Sequence, residues 1–223
     1  MTQPVLTIDV FSDVVCPWCY LGKHRLDEAL AEVGDIPVQV RWRPFRLDPT
    51  IPPGGIDRTK YLADKFGSVD AIEPAHQRLV AMGKPVGIDY RFDAIRRSPN
   101  TDDAHRVIRW AAAEGKQGEM VERLFSAYFT EGKDIGDHAV LAALAGAVGL
   151  DADVIARRLA TDEDRAAVSA EVEEAYRIGV NGVPCFVLAG KYAVIGAQET
   201  ATMADAIRQV AAMARQGEPA PAK

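Results

Sequence analysis

Two cysteines separated by two residues, Cys16-Pro17-Trp18-Cys19, follow an apolar stretch from Val5 to Val15 that is typical of a β-strand. Proline is favoured at the first position of an α-helix, because its missing N–H needs no partner there and its φ angle is already helical. A helix is therefore predicted from Pro17 to about Val33, with Cys16 as its N-cap. Three residues on, Cys19 lies on the same side of the first turn. The chain thus begins as a strand and a helix, with a dithiol at their junction.

The composition is that of an ordinary globular protein. With 223 residues, 48% of them hydrophobic and 26% charged, the chain is long enough to bury a substantial core in one large domain or two small ones. Its net charge of -6 provides no excess of Lys and Arg, so we expect neither nucleic acid nor an anionic membrane surface as a partner. The longest run without charge, Ala139 to Leu150, is shorter than the roughly 20 apolar residues of a membrane-spanning helix.

The cysteine content and the N-terminal sequence favour a reducing compartment. No Lys or Arg precedes Lys23, and Asp9 and Asp13 interrupt the apolar stretch, so no secretory signal is visible. Three cysteines are too few for a disulfide-stapled secreted scaffold. We therefore predict a cytoplasmic protein, in which a disulfide would be transient and catalytic.

The middle of the chain is helical in character. Before it, alternating apolar and polar residues from Val38 to Trp42 predict a strand with one buried face, and the proline-rich segment from Leu47 to Gly55 predicts a loop. From residue 57 to 178, apolar residues recur every three or four positions in about six helical pieces.

After this helical segment the pattern returns to strands. Two short apolar runs, Val183 to Leu188 and Tyr192 to Ile195, predict a hairpin, and a last helix is expected from about Thr200 to Arg215. The order predicts an α/β fold, βαβ then ββα, with a large all-helical insertion. The expected parts are a discontinuous domain (1–56 and 179–216), the insertion (57–178) and a flexible tail (217–223).

A close pair of thiols at a helix N-terminus indicates redox chemistry. The backbone N–H groups of the first turn favour a thiolate at Cys16, so we expect Cys16 to attack and Cys19 to resolve the resulting mixed disulfide. Half of a zinc site is the alternative, but a structural zinc ion needs four ligands and only Cys185 and scattered histidines remain. No metal site is predicted.

The whole pattern resembles the thioredoxin fold with a helical insertion and, within it, the FrnE branch of the DsbA family. The resemblance covers Thr7 to about Arg215. It rests on these stretches in order: Ser12 to Lys23, Pro44 to Leu47, Asn100-Thr101 with Ala104-His105-Arg106, Leu124 to Phe129, Gly179 to Pro184, and Gly196 to Gln198.

This resemblance implies a thiol:disulfide oxidoreductase that acts on protein or small-molecule thiols and disulfides. It implies a cis Pro184 lying against the dithiol, with the backbone of Val183 offering hydrogen bonds to a bound peptide. We expect Pro17 and Trp18 to contact substrate as well, since Trp18 stands between the cysteines. The redox-active Cys16–Cys19 disulfide takes the place of a cofactor, and glutathione is a candidate co-substrate.

Three further residues are candidates for tuning the pair. Cys185 departs from the family pattern, which more often has an aromatic residue after the proline. Strand alternation favours a buried Cys185, and the alternative is a third thiol that exchanges with Cys16. Asp13 precedes the pair at the strand end. For His105 we favour a hydrogen-bonded structural role over a place in the cleft.

Two other assignments remain open at this point. A glutathione-dependent isomerase or kappa-type transferase has a similar fold, but those relatives typically carry a single serine or another activating group where Cys16 stands. A peptide-binding or chaperone module would keep the fold with little turnover.

The basic cluster Arg91, Arg96 and Arg97 is expected to be a solvated face, with binding of an acidic thiol such as glutathione as the less favoured alternative. The sequence leaves the oligomeric state open.

Overall fold

The computed structural model of the protein describes residues 6–216 and centres on a four-stranded sheet. The predicted strand start at Val5 and the predicted flexible tail, 217–223, lie outside the described residues. The strands are β1 (Leu6–Ser12), β2 (Val38–Pro44), β3 (Ile56–Asp57), β4 (Arg97–Ser98), β5 (Cys185–Leu188) and β6 (Tyr192–Ile195). The α-helices are α1 (Pro17–Glu32), α2 (Arg58–Phe66), α3 (Glu73–Gly83), α4 (Asp102–Ala113), α5 (Gln117–Phe129), α6 (His138–Ala147), α7 (Ala152–Leu159), α8 (Arg165–Arg177) and α9 (Thr200–Gln216).

The main sheet has the strand order β2-β1-β5-β6. β1 and β2 are parallel and are joined through α1, which gives the predicted βαβ unit. β5 pairs antiparallel with both β1 and β6, and α9 follows, which gives the ββα unit. The predicted α/β class is confirmed.

Alternation of side chains separates the two faces of this sheet. Ile8 and Val10 of β1 and Phe186 of β5 belong to the large apolar core, together with residues of α1 and α9. Phe11 and Cys185, which pair across β1 and β5, belong instead to a separate small apolar cluster. The two faces therefore hold different sets of side chains.

The insertion differs from the prediction in one respect, because it is not wholly helical. It contains α2 to α8, but Ile56–Asp57 at its start pairs antiparallel with Arg97–Ser98. Ser98 precedes Pro99, and the residue before a proline is disfavoured in the helical region, so an extended backbone is expected there. Two strands of two residues are too short to produce a periodic sequence signal.

The insertion and the sheet share one core. Buried side chains of both, such as Leu21 of α1 and Phe125 of α5, belong to the same continuous apolar cluster. The predicted domain boundaries remain a prediction. Across residues 6–216, no helix combines the length and the apolar character needed to cross a membrane.

Candidate active site

The predicted N-cap position of Cys16 is confirmed. Its backbone is extended, with φ of -92° and ψ of 111°, and Pro17 occupies the first helical position of α1. The carbonyl oxygen of Cys16 accepts hydrogen bonds from the N–H groups of Cys19, at 3.0 Å, and Tyr20, at 3.3 Å. Both cysteines are free thiols, and only 2% of Cys16 and 1% of Cys19 is exposed. The strand-to-helix junction thus presents a thiol pair at the start of a helix.

The two thiols have different surroundings. Burial raises the pKa of Cys19 well above its ordinary value, and the hydrogen bond and charge of Cys16 raise it further. The backbone N–H of Asp13 and the hydroxyl of Ser12 act in the opposite direction but are outweighed. Cys19 is therefore a protonated thiol near neutral pH.

The segment before β5 lies against the dithiol. The bond between Val183 and Pro184 is cis, as the family resemblance implies, and Cys16 Sγ lies 3.8 Å from the carbonyl oxygen of Val183. A Cβ atom at Gly22 of α1 would lie 3.0 Å from Pro184 Cγ and 3.2 Å from Phe186 Cζ. The absence of a side chain at Gly22 therefore allows α1 to approach this segment closely.

A cavity of about 340 Å³ borders Cys16, and we call it the dithiol cavity. Pro17, Trp18 and Val183, three of the four predicted substrate contacts, line it. The insertion and the loop before it contribute further apolar lining residues: Leu47, Ile51, Leu62, Phe66, Ile72, Ala75 and Leu79. Trp18 is half-buried, and the Arg78 guanidinium lies over its ring, with Arg78 Cζ 5.7 Å from the ring centroid. This apolar space next to a thiol can hold the side chain or body of a substrate.

Asp13 and His105, 92 positions apart in the sequence, meet beside the dithiol cavity. Asp13 is 1% exposed, and its Oδ2 accepts a hydrogen bond from the backbone N–H of Leu47 at 2.7 Å. His105 is also buried, and because its Nε2 lies 3.1 Å from the carbonyl oxygen of Phe45, that nitrogen must carry the donated proton. The same Nε2 lies 3.5 Å from Asp13 Oδ1. Together these residues fix the segment from Phe45 to Leu47, which forms part of the cavity rim.

His105 itself lines a second cavity, of about 360 Å³, which is bounded by β2, α4 and α8. Charged residues in that cavity pair with one another, as Arg43 and Arg109 do with Glu171. Thus His105 does not face the dithiol cavity, in agreement with the favoured structural role. Among the described residues, no group of three or more His, Cys, Asp or Glu side chains is arranged to hold a metal ion.

Comparisons with known proteins agree with this geometry. Residues 7–208 match the family described as the DSBA-like thioredoxin domain. The chain belongs to this family. It is 32% identical, over 81% of its length and 86% of the other chain, to the uncharacterized protein YwbO of Bacillus subtilis (strain 168). It also resembles the crystal structure of the probable DsbA oxidoreductase SCO1869 from Streptomyces coelicolor, with 32% identity, coverage of 98% and 93% of the two chains and a TM-score of 0.85.

Two more distant structures share the fold with this DSBA-like chain. A 2-hydroxychromene-2-carboxylate isomerase has 16% identity and a TM-score of 0.71, covering 96% of this chain and 100% of the other. The cytosolic disulfide reductase DsbM from Pseudomonas aeruginosa, in complex with GSH, has 22% identity and a TM-score of 0.62, covering 95% and 98%. At 16% and 22% identity, these two similarities show a shared fold only.

Cys185 of this DSBA-like protein lies in the small apolar cluster, 5% exposed. It packs with Phe11, Phe45, Ala175 and Val180, and burial raises the pKa of its thiol. The sequence therefore predicted its buried, apolar surroundings correctly.

Several residues that hold α1 and its dithiol were missed by the sequence interpretation. Tyr90 is buried, and its hydroxyl donates a hydrogen bond of 2.6 Å to the carbonyl oxygen of Pro17. Glu122 of α5 contacts three side chains of α1: the Tyr20 hydroxyl at 3.1 Å, Lys23 Nζ at 2.8 Å and His24 Nε2 at 3.4 Å. No motif signals these residues in a DSBA-like chain, since their partners come from other helices.

Proposed function

We propose that the protein is a thiol:disulfide oxidoreductase that exchanges disulfides through Cys16 and Cys19. The observation that carries the proposal is a cysteine at the N-cap of α1, at the edge of an apolar cavity, with a second buried thiol one turn behind it. A helix N-terminus favours a negative charge on the N-cap side chain, which is the reactive form of a thiol. Cys19, protonated and enclosed, acts in the second step.

The exchange balances as follows in the direction of substrate reduction. The Cys16 thiolate attacks one sulfur of a substrate disulfide, forming a mixed disulfide and releasing the other substrate sulfur as a thiol. Cys19 gives up its proton and attacks the Cys16 sulfur, so that the second substrate thiol leaves and a Cys16–Cys19 disulfide remains. Two electrons pass from the protein to the substrate. The reverse sequence oxidises a dithiol, and the reduction potentials of the partners set the direction.

The environment of Cys16 supports this use of the site. Val183, whose carbonyl oxygen faces Cys16 Sγ, is half-buried and lines the cavity. Its backbone can form hydrogen bonds with an extended peptide alongside the dithiol. We propose protein or small-molecule thiols and disulfides as substrates, with Pro17, Trp18, Val183 and Pro184 as contacts. The name of the DsbM neighbour, which mentions the cytosol and GSH, supports a cytoplasmic location and glutathione as a co-substrate. Assignment to the FrnE branch remains a prediction from the sequence.

A glutathione-dependent isomerase is the second candidate, favoured by the shared fold with 2-hydroxychromene-2-carboxylate isomerase. An isomerase moves no electrons overall, so it has no use for a resolving thiol. The buried Cys19 directly behind Cys16 therefore favours disulfide exchange.

Reduction of insulin disulfides in the presence of a thiol reductant tests the proposal. We expect the parent to accelerate the reaction, Cys16→Ser to lose at least about a hundredfold of that rate because the attacking thiolate is gone, and Cys19→Ser to accumulate mixed disulfides that mass spectrometry detects. Cys185→Ala is the matched control and retains the parental rate. If the parent shows no turnover above both serine variants, the redox proposal is wrong. Isomerase chemistry would instead survive Cys19→Ser and require added glutathione.

A further inference from the structure

Within residues 6–216, one arginine of the dithiol cavity lacks a counter-ion. Arg46 and Lys65, which line the same cavity, form ion pairs with Asp102 at 2.5 Å and with Asp48 at 3.0 Å. Arg58 lines the cavity too and is half-buried, yet no carboxylate among residues 6–216 forms an ion pair with it.

The hydrogen bond and the aromatic contact of the Arg58 side chain are both with neutral groups. Its Nη1 donates a hydrogen bond to the Ser98 hydroxyl at 3.3 Å, and its guanidinium carbon lies 5.9 Å from the centroid of the Tyr61 ring. Since a guanidinium has five N–H donors in a planar fork, several of them remain for another acceptor. The positive charge of Arg58 also affects His76, which lines the same cavity. Burial lowers the pKa of His76, and the charge of Arg58 lowers it further.

The apolar walls of the cavity strengthen the attraction between Arg58 and a bound counter-ion. Leu62, Phe66 and Ile72 of the same cavity are apolar, and an ion pair is stronger where water is displaced from the space around it. A carboxylate or phosphate matches the guanidinium fork with two parallel hydrogen bonds. Thr101, buried on the same cavity, makes no capping hydrogen bond with its hydroxyl and offers a further polar contact.

We infer that Arg58 binds a carboxylate of the thiol or disulfide that reacts at Cys16, so that the protein selects anionic substrates. The inference rests on the proposed exchange reaction, because Cys16 and Arg58 line one cavity and would contact the same molecule. The basic cluster singled out in the sequence has no part in it: Arg91 and Arg96 are exposed, and Arg97 pairs with Asp134 at 3.8 Å outside the cavity lining.

Oxidation of the reduced protein by three small disulfides tests this inference. The disulfides are 3,3′-dithiodipropionate, 2-hydroxyethyl disulfide and cystamine, which are similar in size and carry negative, neutral and positive end groups. The rate of loss of the Cys16 and Cys19 thiols is measured by mass spectrometry after acid quenching, for the parent, Arg58→Gln, Arg58→Lys and Arg96→Gln. Taking the ratio of parent to variant for each disulfide cancels the intrinsic reactivity of that disulfide.

We expect Arg58→Gln to slow the reaction with dithiodipropionate at least about tenfold, the size of one lost hydrogen bond to a charged group, and to leave the neutral disulfide little changed. Arg58→Lys keeps the charge without the fork and retains part of the rate. Arg96→Gln, an exposed change outside the cavity, leaves all three rates unchanged. Added salt slows the anionic disulfide selectively in the parent.

The outcomes separate the two levels of the argument. If none of the disulfides oxidises the parent, the proposed exchange reaction fails. If all three oxidise it but Arg58→Gln changes their rates equally, the exchange reaction stands and the inference about Arg58 is overturned.

A peptide arm distinguishes the two sources of a carboxylate. Disulfide-linked dimers of a tripeptide with either glutamate or glutamine next to its cysteine are compared in the same assay. Both peptides are amidated at the C-terminus, so that only the glutamate peptide carries a carboxylate. Dependence on Arg58 for the glutamate peptide but not for the glutamine peptide assigns the carboxylate to an acidic polypeptide side chain. Dependence for dithiodipropionate alone assigns it to a small-molecule thiol.

Discussion

The start of helix α1 and strand β5 each hold a buried cysteine, but the two cysteines differ in their backbone position and in their neighbours. Cys16 of α1 is 2% exposed and Cys185 of β5 is 5% exposed. Cys16 stands at a helix N-terminus, beside a cavity and one turn ahead of a second thiol. Cys185 lies within a strand, among apolar side chains of its own cluster. Burial of the side chain therefore does not separate a reactive cysteine from a structural one.

The difference lies in what each sulfur contacts. Cys16 Sγ, at the start of α1, lies 3.8 Å from the carbonyl oxygen of Val183, whereas the apolar cluster around Cys185 opposes ionisation of its thiol. For Cys185 burial is the one cause of its raised pKa, and no opposing charge or hydrogen bond lowers it. The two regions thus predict exchange chemistry at α1 and packing at β5.

The strongest test of this difference is whether Cys185 can form a disulfide with Cys16 when Cys19 is removed. We expect mild oxidation of the parent to give only the Cys16–Cys19 disulfide, and Cys19→Ala to give no Cys16–Cys185 disulfide, because Cys185 packs in a different apolar cluster from the other two cysteines. Peptide mapping by mass spectrometry measures both. A substantial Cys16–Cys185 link would show that β5 shares in the exchange.

The second step of the exchange is expected to depend steeply on pH. Burial is the largest cause that raises the pKa of Cys19 above its ordinary value of 9.0. We expect this burial to persist when Cys16 is held in a mixed disulfide. Since only the thiolate attacks, resolution should accelerate about tenfold per pH unit below that pKa and still be rising above pH 9. Stopped-flow release of a chromophoric thiol from the mixed disulfide follows this rate. A plateau near neutral pH would contradict the assignment of Cys19 as a protonated thiol.

Packing at β5 can be tested by stability. Cys185→Ser places a hydroxyl in the apolar cluster without a defined partner and should lower the free energy of unfolding by about 1–3 kcal/mol, whereas exchange activity remains parental. Cys185→Ala, which removes the sulfur and adds no polar group, separates lost packing from the cost of the hydroxyl. Urea unfolding followed by circular dichroism measures both. Equal stability of the parent and Cys185→Ser would remove the contrast in packing.

The smallest effect is expected where charged groups hold α1. Burial acts to raise the pKa of Glu122, but the His24 hydrogen bond and the Lys23 charge outweigh it and lower the pKa to about 2. The stabilisation from this carboxylate is thus complete above its ordinary value of 4.5 and is lost as the pH falls toward about 2.

Glu122→Gln should therefore lower the melting temperature by a few degrees at pH 7 and by less at pH 3.5. Differential scanning calorimetry at both values checks this. Glu119→Gln, which removes a neighbouring carboxylate on α5, is the matched control. Its effect on the melting temperature should be the same at both pH values. A Glu122 effect that is the same at both pH values would mean that its charge does not hold α1.

Local features of this chain were predictable where neighbouring residues decide them. Pro17 starts α1 and Cys16 caps it because the steric and hydrogen-bonding preferences involved act within one turn. The burial of Cys185 followed from alternation within its own strand. The β3–β4 pairing escaped prediction because two residues per strand carry no periodic signal.

The sequence by itself determined the thiol pair, the start of its helix and the βαβ–ββα order, since each depends on contacts within a few residues. The family resemblance had placed the backbone of Val183 near Cys16, 167 positions away, but only the tertiary structure brought Arg58 into the same cavity. Asp13 and His105, 92 positions apart, likewise meet only in the folded chain. The physical reason is that such contacts are set by the packing of apolar faces from distant elements, and a single sequence records the faces but not their partners.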